Sequence, residues 1–278
     1  MNARDERIEE KSDAISSHSI RVLTYNIHKG FSAANRRFVL HEIKKSLQHV
    51  NPDIVFLQEV QGERKISRRR FDDWPNTRQF EFLADQVWHH HAYGKNVIYK
   101  KGHHGNAILS KYAFVDWENI NVSPLRSASR SLLHGLIQIP GYDQRIHIIC
   151  VHFGLFELER ERQLSTLVKR IQSHVPDDEP LIIAGDFNDW RARAENHLHQ
   201  DLGVKEVFKN FHGVHAKTFP SWLPMLSMDR IYFRGLKVMD CTRLDGKPWR
   251  HLSDHFPLLA EFSLIGSPEK GTKLDQGN

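Results

Sequence analysis

The feature that most limits what this chain can fold into is a pattern that occurs twice. Arg21-Val-Leu-Thr-Tyr-Asn-Ile27 is an apolar run rich in β-branched and aromatic residues, the signature of a strand. Residues 36–50 follow with Leu40, Ile43, Leu47 and Val50 at helical spacing. Asn51-Pro52 ends that helix, because a residue preceding proline is pushed out of the helical region. Asp53-Ile-Val-Phe-Leu57 is the next strand and runs into Gln58-Glu59. The order then returns. Arg145–Val151 reads as a strand, and 157–175 as a helix with Leu164, Leu167, Ile171 and Val175 on one stripe, closed by Pro176. Leu181–Ala184 is the strand after it, running into Gly185-Asp186-Phe187-Asn188. Two strand–helix–strand units predict an α/β domain whose sheets are covered by helices.

The polar residues fall at matching places in the two units. Asn26, Glu59, His152, Asp186 and Asn188 each sit at or just beyond the end of an apolar run. A single Asn or Asp there usually only starts a turn. Five in equivalent places point to a site, because rigid strand ends with loop access are where α/β proteins gather binding groups.

Composition narrows the class. With 278 residues, 40% hydrophobic and 26% charged, the chain suits a soluble globular protein with a substantial core. No apolar run approaches a membrane span, and the mixed-charge start shows no secretory signal. Two cysteines, Cys150 and Cys241, form no metal-type or redox-type pair, which excludes a disulfide scaffold and makes a reducing, cytoplasmic location the default expectation. Polar, aperiodic ends are read as disordered tails at 1–18 and 266–278 around one domain at 19–265, expected to act as a monomer. The net charge of +5 permits a polyanionic partner without requiring one.

Two late segments, Ser227-Met-Asp229-Arg-Ile-Tyr-Phe233 and Leu252-Ser-Asp254-His255-Phe-Pro-Leu258, add acidic and imidazole groups beside strand-like runs. The candidates are then Asn26, Glu59, Asn106, His152, Asp186, Asn188, Asp229, Asp254 and His255, with no nucleophilic Ser or Cys elbow among them. Hard oxygen ligands suit Mg²⁺ or Mn²⁺. Histidines beside carboxylates suit proton transfer near neutral pH. Amides can donate to phosphoryl oxygens without adding charge. The mixture fits metal-assisted hydrolysis of a phosphoester.

At these residues the sequence resembles the endonuclease/exonuclease/phosphatase superfamily, which includes exonuclease III, deoxyribonuclease, neutral sphingomyelinases and inositol-polyphosphate 5-phosphatases. The matching blocks are Thr24-Tyr-Asn26-Ile, Leu57-Gln-Glu59-Val, Gly105-Asn106-Ala-Ile-Leu-Ser110, Val151-His152-Phe-Gly, Gly185-Asp186-Phe-Asn188, Met228-Asp229-Arg-Ile and Ser253-Asp254-His255, in the family's order. The resemblance implies a four-layer α/β sandwich, two packed mixed β-sheets flanked by helices. It also implies roles. Glu59 would be the principal metal carboxylate, with Asn26 and Asp254 beside the same Mg²⁺ or Mn²⁺. Asp186 would orient or deprotonate the attacking water, and Asn188, Asn106 and His152 would hold phosphate oxygens. Asp229 would fix the tautomer of His255, whose other nitrogen would face the phosphate; whether His255 or Asp186 takes the proton stays open.

Within that family, Val60 after Glu59 and the histidine at 152 depart from the abasic-site endonucleases and look more like the deoxyribonuclease and sphingomyelinase branches. The expected substrate is a nucleic acid. The alternatives are a phospholipid or phosphorylated metabolite, and a binding module of the same fold that has lost the chemistry. The basic stretch Arg64, Lys65, Arg68, Arg69 and Arg70 could grip phosphates or merely be a solvated loop; Arg126, Arg130, Arg160 and Gln163 are weaker candidates of that kind. His89-His90-His91 and His103-His104 lack the spacing by which ligands converge on one helix face. The six tryptophans are expected mostly in core or rim; Trp222, just before Asp229, could pack on a substrate base or acyl chain, but covering a sheet edge is the preferred reading.

Overall fold

Along the central strands the apolar residues separate by parity into two sets, and the sets pack in different layers. The computed structural model describes residues 19–33, 36–64, 73–99, 102–123 and 130–264. Among these, twelve strands form two six-stranded sheets. The first runs β11 (Lys237–Arg243), β12 (Leu258–Ser263), β1 (Ser19–Asn26), β2 (Ile54–Arg64), β4 (Gly102–Ser110) and β3 (His90–Tyr99). The second runs β5 (Phe114–Asn121), β6 (Ser131–Gln138), β7 (Arg145–His152), β8 (Leu181–Asp186), β10 (Asp229–Arg234) and β9 (Lys205–Glu206). Both are mixed: β1 with β2, and β7 with β8, are parallel, and the other pairs are antiparallel. These two parallel pairs are the two strand–helix–strand units, each crossing over through a helix as parallel strands must.

Period-two alternation builds the layers. Ile20 and Val22 of β1, Ile54 and Phe56 of β2, Ile148 and Cys150 of β7, and Ile182 and Ala184 of β8 all enter one core between the sheets. The opposite parity, Leu23, Tyr25, Val55 and Leu57, packs with Leu40, Ile43 and Leu47 of α1 (Leu40–Val50) and with Phe80 and Leu83 of α2 (Gln79–Ala84). On the far side, Ile149, Val151, Leu181 and Ile183 meet Leu164, Leu167 and Ile171 of α3 (Glu157–His174) and Leu198 of α4 (Arg193–Leu202). A short helix, α5 (Val207–His212), adds Val207 and Phe208 to the inter-sheet core. Helix, sheet, sheet, helix is the four-layer sandwich.

Two boundaries differ from the periodicity. The first helix begins at Leu40 rather than at 36, because Phe31 and Phe38 pair across an isolated bridge and Phe38 stacks on Trp74, which takes up the preceding residues. The second strand continues past Leu57 to Arg64, with a register shift between Leu57 and Val60. The tails expected at 1–18 and 266–278 lie outside the described residues. Among the described residues no helix is long and apolar enough to cross a membrane. Both cysteines are buried and free.

Candidate active site

The inward-facing rows of β1, β7 and β8 are mostly apolar and end on a polar side chain that can reach the crevice. After Ile20, Val22 and Thr24 comes Asn26; after Ile146, Ile148 and Cys150 comes His152; after Ile182 and Ala184 comes Asp186. In the antiparallel strands the same rule runs backward, so Asp229 precedes Ile231 and Asn106 precedes Ile108. Register brings them level: His152 on β7 and Asp229 on β10 both pair with Asp186 on β8 between them. The site is therefore the mouth of the inter-sheet core. Gly185 lets it close, for a Cβ there would lie 2.0 Å from the Val151 carbonyl oxygen.

A chain of contacts crosses the crevice. His255 Nδ1 donates to Asp229 Oδ2 at 2.8 Å, which leaves Nε2 facing Asp186 Oδ2 at 3.9 Å. Asn26 Nδ2, from the other sheet, donates to the same Asp186 oxygen at 3.1 Å. His152 Nε2 stands 3.5 Å from that oxygen, while Arg130 donates to its Nδ1 at 3.1 Å. A guanidinium can only donate, so His152 carries its proton on Nε2, toward Asp186. Asn188 is held in the left-handed region (φ 50°), its N–H on Asp186 Oδ1 and its Nδ2 on the Phe153 carbonyl. Asn106 Nδ2 donates to the Ser131 carbonyl. Ser253 Oγ donates to the Asn26 carbonyl at 2.7 Å and fastens the Asp254-His255 turn to the end of β1.

Burial and charge pull the titrations apart. Burial alone would lower His255, but Asp229, with Asp186 and Asp254 nearby, pushes it well above the ordinary histidine value, so it is an imidazolium at neutral pH. Burial, reinforced by Asp229 and opposed by His255, raises the Asp186 carboxyl above the usual carboxylate range. Burial, with Arg130 next, holds His152 far below the ordinary value and therefore neutral. Burial pushes Glu59 and Asp254 upward, yet both end below the usual range, because Lys29 faces the first and His28 the second.

The three residues expected to hold a cation meet around one turn. Lys29 Nζ lies 2.8 Å from Glu59 Oε2, His28 Nδ1 lies 2.9 Å from Asp254 Oδ1, and the His28 N–H donates to Asn26 Oδ1. The donor set fits a hard divalent ion: it offers oxygens, and positive groups of the protein already stand against both carboxylates. Buried atoms with no hydrogen-bond partner among the described residues, Asp229 Oδ1, Asn106 Oδ1 and His28 Nε2, also fit a crevice that bonds something further. Asp186, Asp229 and His255 form a second group whose ligating atoms lie within 4.8 Å of one another, although His255 Nδ1 is already spent on Asp229.

Sequence patterns missed several participants. His28 and Lys29 directly follow the Thr-Tyr-Asn-Ile block, and Gly30 was the available signal for a tight turn there. Gln79 acts through long-range hydrogen bonds, and Ser253, within the Ser-Asp-His block, gains its part from a bond to the distant Asn26 carbonyl. Of the weaker candidates, Arg130 reaches the site through His152. Gln163 is structural: buried, it accepts from the Gly154 N–H and so holds the loop that follows His152. Arg160 lies over Trp190. Arg64 ends β2, while Lys65, Arg68, Arg69, Arg70 and Arg126 lie outside the described residues. His103 bonds Tyr93 on β3, and burial lowers His104 to about 4. Trp222 is 67% exposed on the loop before β10, where the Ser221 N–H donates to the Asp254 carbonyl.

The family model of the endonuclease/exonuclease/phosphatase family matches residues 23–255. The Escherichia coli K12 protein YbhP is 45% identical over 252 residues, spanning 91% of this chain and 99% of that protein. An endonuclease/exonuclease/phosphatase from Beutenbergia cavernae is similar in structure, with a TM-score of 0.73 at 19% identity, over 90% of this chain and 73% of that one. So is D. rerio TDP2 complexed with single-strand DNA product, with a TM-score of 0.66 at 19% identity, over 88% and 99%. At such identities these two structures share the fold. From motif order, inward-facing strand ends and the match across nearly all of its folded length, the chain belongs to the endonuclease/exonuclease/phosphatase family.

Proposed function

We propose that this protein is a divalent-cation-dependent hydrolase of phosphodiester bonds, with nucleic acid as the substrate class. The observation that carries the reading is the contact chain Asp229–His255–Asp186–Asn26, which joins Asp229 and Asp186 of the second sheet to His255 of the Asp254-His255 turn and Asn26 of the first sheet in one buried crevice. Phosphodiesters resist attack because the nucleophile must approach an anion, so fixed positive charge and donors are what a catalyst has to supply. Glu59, Asn26 and Asp254 would hold the cation, Mg²⁺ or Mn²⁺, which when bound supplies Lewis-acid stabilisation of phosphoryl charge. Asp186, raised toward neutral pH, takes the proton from the attacking water. The His255 imidazolium, oriented by Asp229, turns Nε2 toward the phosphoryl group. His152 offers Nε2–H, and Asn188 and Asn106 each retain a second amide hydrogen for phosphate oxygens. The separate thiols support a reducing, cytoplasmic setting.

A second reading, hydrolysis of a phospholipid, is favoured by one observation. The loop after His152 exposes Leu155 at 60% and Phe156 at 77%, and the loop before Asp229 exposes Met225 at 57% beside Trp222. Apolar groups at the rim of a crevice suit an acyl or membrane surface. A substrate panel with Mg²⁺ or EDTA separates the readings: plasmid, single-stranded DNA, RNA, phospholipid vesicles and a bis-aryl phosphodiester. EDTA-sensitive cleavage of polynucleotide, with binding that weakens steeply as salt rises, is the expected result. Turnover confined to vesicles would transfer the assignment to lipid, and binding without turnover of any substrate would overturn hydrolysis altogether.

A further inference from the structure

The turn between β1 and α1 is strained and clamped, and it delivers two basic side chains in succession. His28, Lys29 and Gly30 have φ of 44°, 59° and 78°, a left-handed run that only the glycine adopts freely. Five hydrogen bonds hold it. The His28 N–H donates to Asn26 Oδ1, Gly30 N–H to the Ile27 carbonyl, Phe31 N–H to the His28 carbonyl, and Val39 N–H to the Gly30 carbonyl. The fifth comes from Gln79, a buried side chain whose Nε2 donates to the Lys29 carbonyl at 2.9 Å while its Oε1 accepts from the Gln61 N–H. Gln79 thus ties the turn to β2 just past Glu59, itself left-handed at φ 58°. Backbone outliers that the surroundings over-determine cluster where function requires a fixed geometry. What this geometry fixes is Lys29 Nζ on Glu59 at 2.8 Å.

We infer that Lys29 is a built-in counter-cation that occupies the Glu59 carboxylate until a divalent ion takes its place, and that the displaced ammonium then binds the substrate phosphate. The inference rests on the reading of Glu59 as a cation ligand. An ammonium and a divalent ion on one carboxylate repel each other, so Lys29 opposes the ion as long as no other anion is present. A phosphodiester supplies that anion within reach of the same tethered side chain, which relieves the repulsion. Cation and substrate therefore bind cooperatively, and by linkage each strengthens the other equally. The crevice keeps a low affinity for free divalent ions and fills when the phosphate arrives.

The test is Mn²⁺ binding to the metal-free full chain, followed by electron paramagnetic resonance of the free ion, with and without dimethyl phosphate. Wild type should bind Mn²⁺ alone weakly and about tenfold more tightly with dimethyl phosphate, within the usual range of coupling between sites. Lys29→Met and Lys29→Gln should bind Mn²⁺ alone about tenfold more tightly than wild type and lose most of the phosphate effect, while Lys29→Arg keeps the wild-type pattern. Lys29 is partly solvent-exposed, and thermal melts close to wild type would show that these variants fold. If Glu59→Gln abolishes Mn²⁺ binding but both neutral variants bind as wild type or more weakly, the role of Lys29 falls and the cation site stands. If Glu59→Gln leaves Mn²⁺ binding unchanged, or wild type binds none, both fall.

Discussion

His255 does its work through what holds it. Its Nδ1 is fixed on Asp229, Ser253 Oγ accepts its N–H, and Phe219 lies 4.9 Å from its ring, so the imidazolium meets the crevice in one orientation. Removing a group that stabilises developing charge lowers turnover by about 10²–10³. His255→Ala and Glu59→Ala should each lose at least that much of kcat on a bis-aryl phosphodiester while melting cooperatively near wild type; near-normal turnover by either would refute its role. Asp229→Asn tests the linkage by pH. With Asp229 ionised, His255 stays protonated well into the alkaline range, so the alkaline limb of the kcat profile lies high. Removing that charge should move the limb to lower pH by about 1–3 pH units, the usual effect of an opposite charge at hydrogen-bond distance. An unmoved limb would mean that activity does not depend on the imidazolium. The nine polar candidates were legible because each ends an apolar run or stands beside one. His28, Lys29 and Gln79 were not, because their signal is a backbone angle or a partner far away in sequence.

At the scale of elements, the end of β8 is a close backbone approach next to the site. Gly185 has φ 150° and faces the Val151 carbonyl across the β7–β8 pair. Gly185→Ala should lose about 1–3 kcal/mol from backbone strain alone, with more from the clash, and should displace Asp186. Its denaturant midpoint and activity should fall together; an unchanged midpoint would contradict the close approach. A buried chain of donors also joins α3 to the second sheet. Arg170 Nε donates to His134 Nδ1, His134 Nε2 to His147 Nδ1 at 2.9 Å, and His147 Nε2 to Glu179 at 2.7 Å. Burial, with His147 and Arg170 next, lowers His134 from 6.5 to about 3, so it is neutral when folded. A depressed folded pKa gives stability that is complete above the unfolded value and is lost as pH falls from 6.5 toward 3. Melting temperature should therefore drop between pH 7 and pH 5, and drop less in His134→Gln; parallel slopes would show that the chain does not govern acid sensitivity. None of this chain stood out in the sequence, because His134 and His147 occupy strand positions where an apolar residue fits the same alternation.

For the whole molecule, the sandwich follows from repetition. Each strand–helix–strand unit buries one face of its sheet under its own helix, and the two remaining faces meet in the middle. That much was readable from local periodicity, since a parallel pair needs only its own crossover. The order β11-β12-β1-β2-β4-β3 was not, because β12 pairs with β1 from the opposite end of the chain. This closure brings Asp254 and His255 to Asn26 across more than two hundred residues, and the cation site depends on it. Anomalous diffraction from crystals soaked in Mn²⁺ addresses that site directly. A single strong peak is predicted at the Glu59 carboxylate, shared with Asp254 and Asn26, with Lys29 Nζ displaced. Absence of a peak at Glu59, or one confined to Asp186, Asp229 and His255, would contradict it.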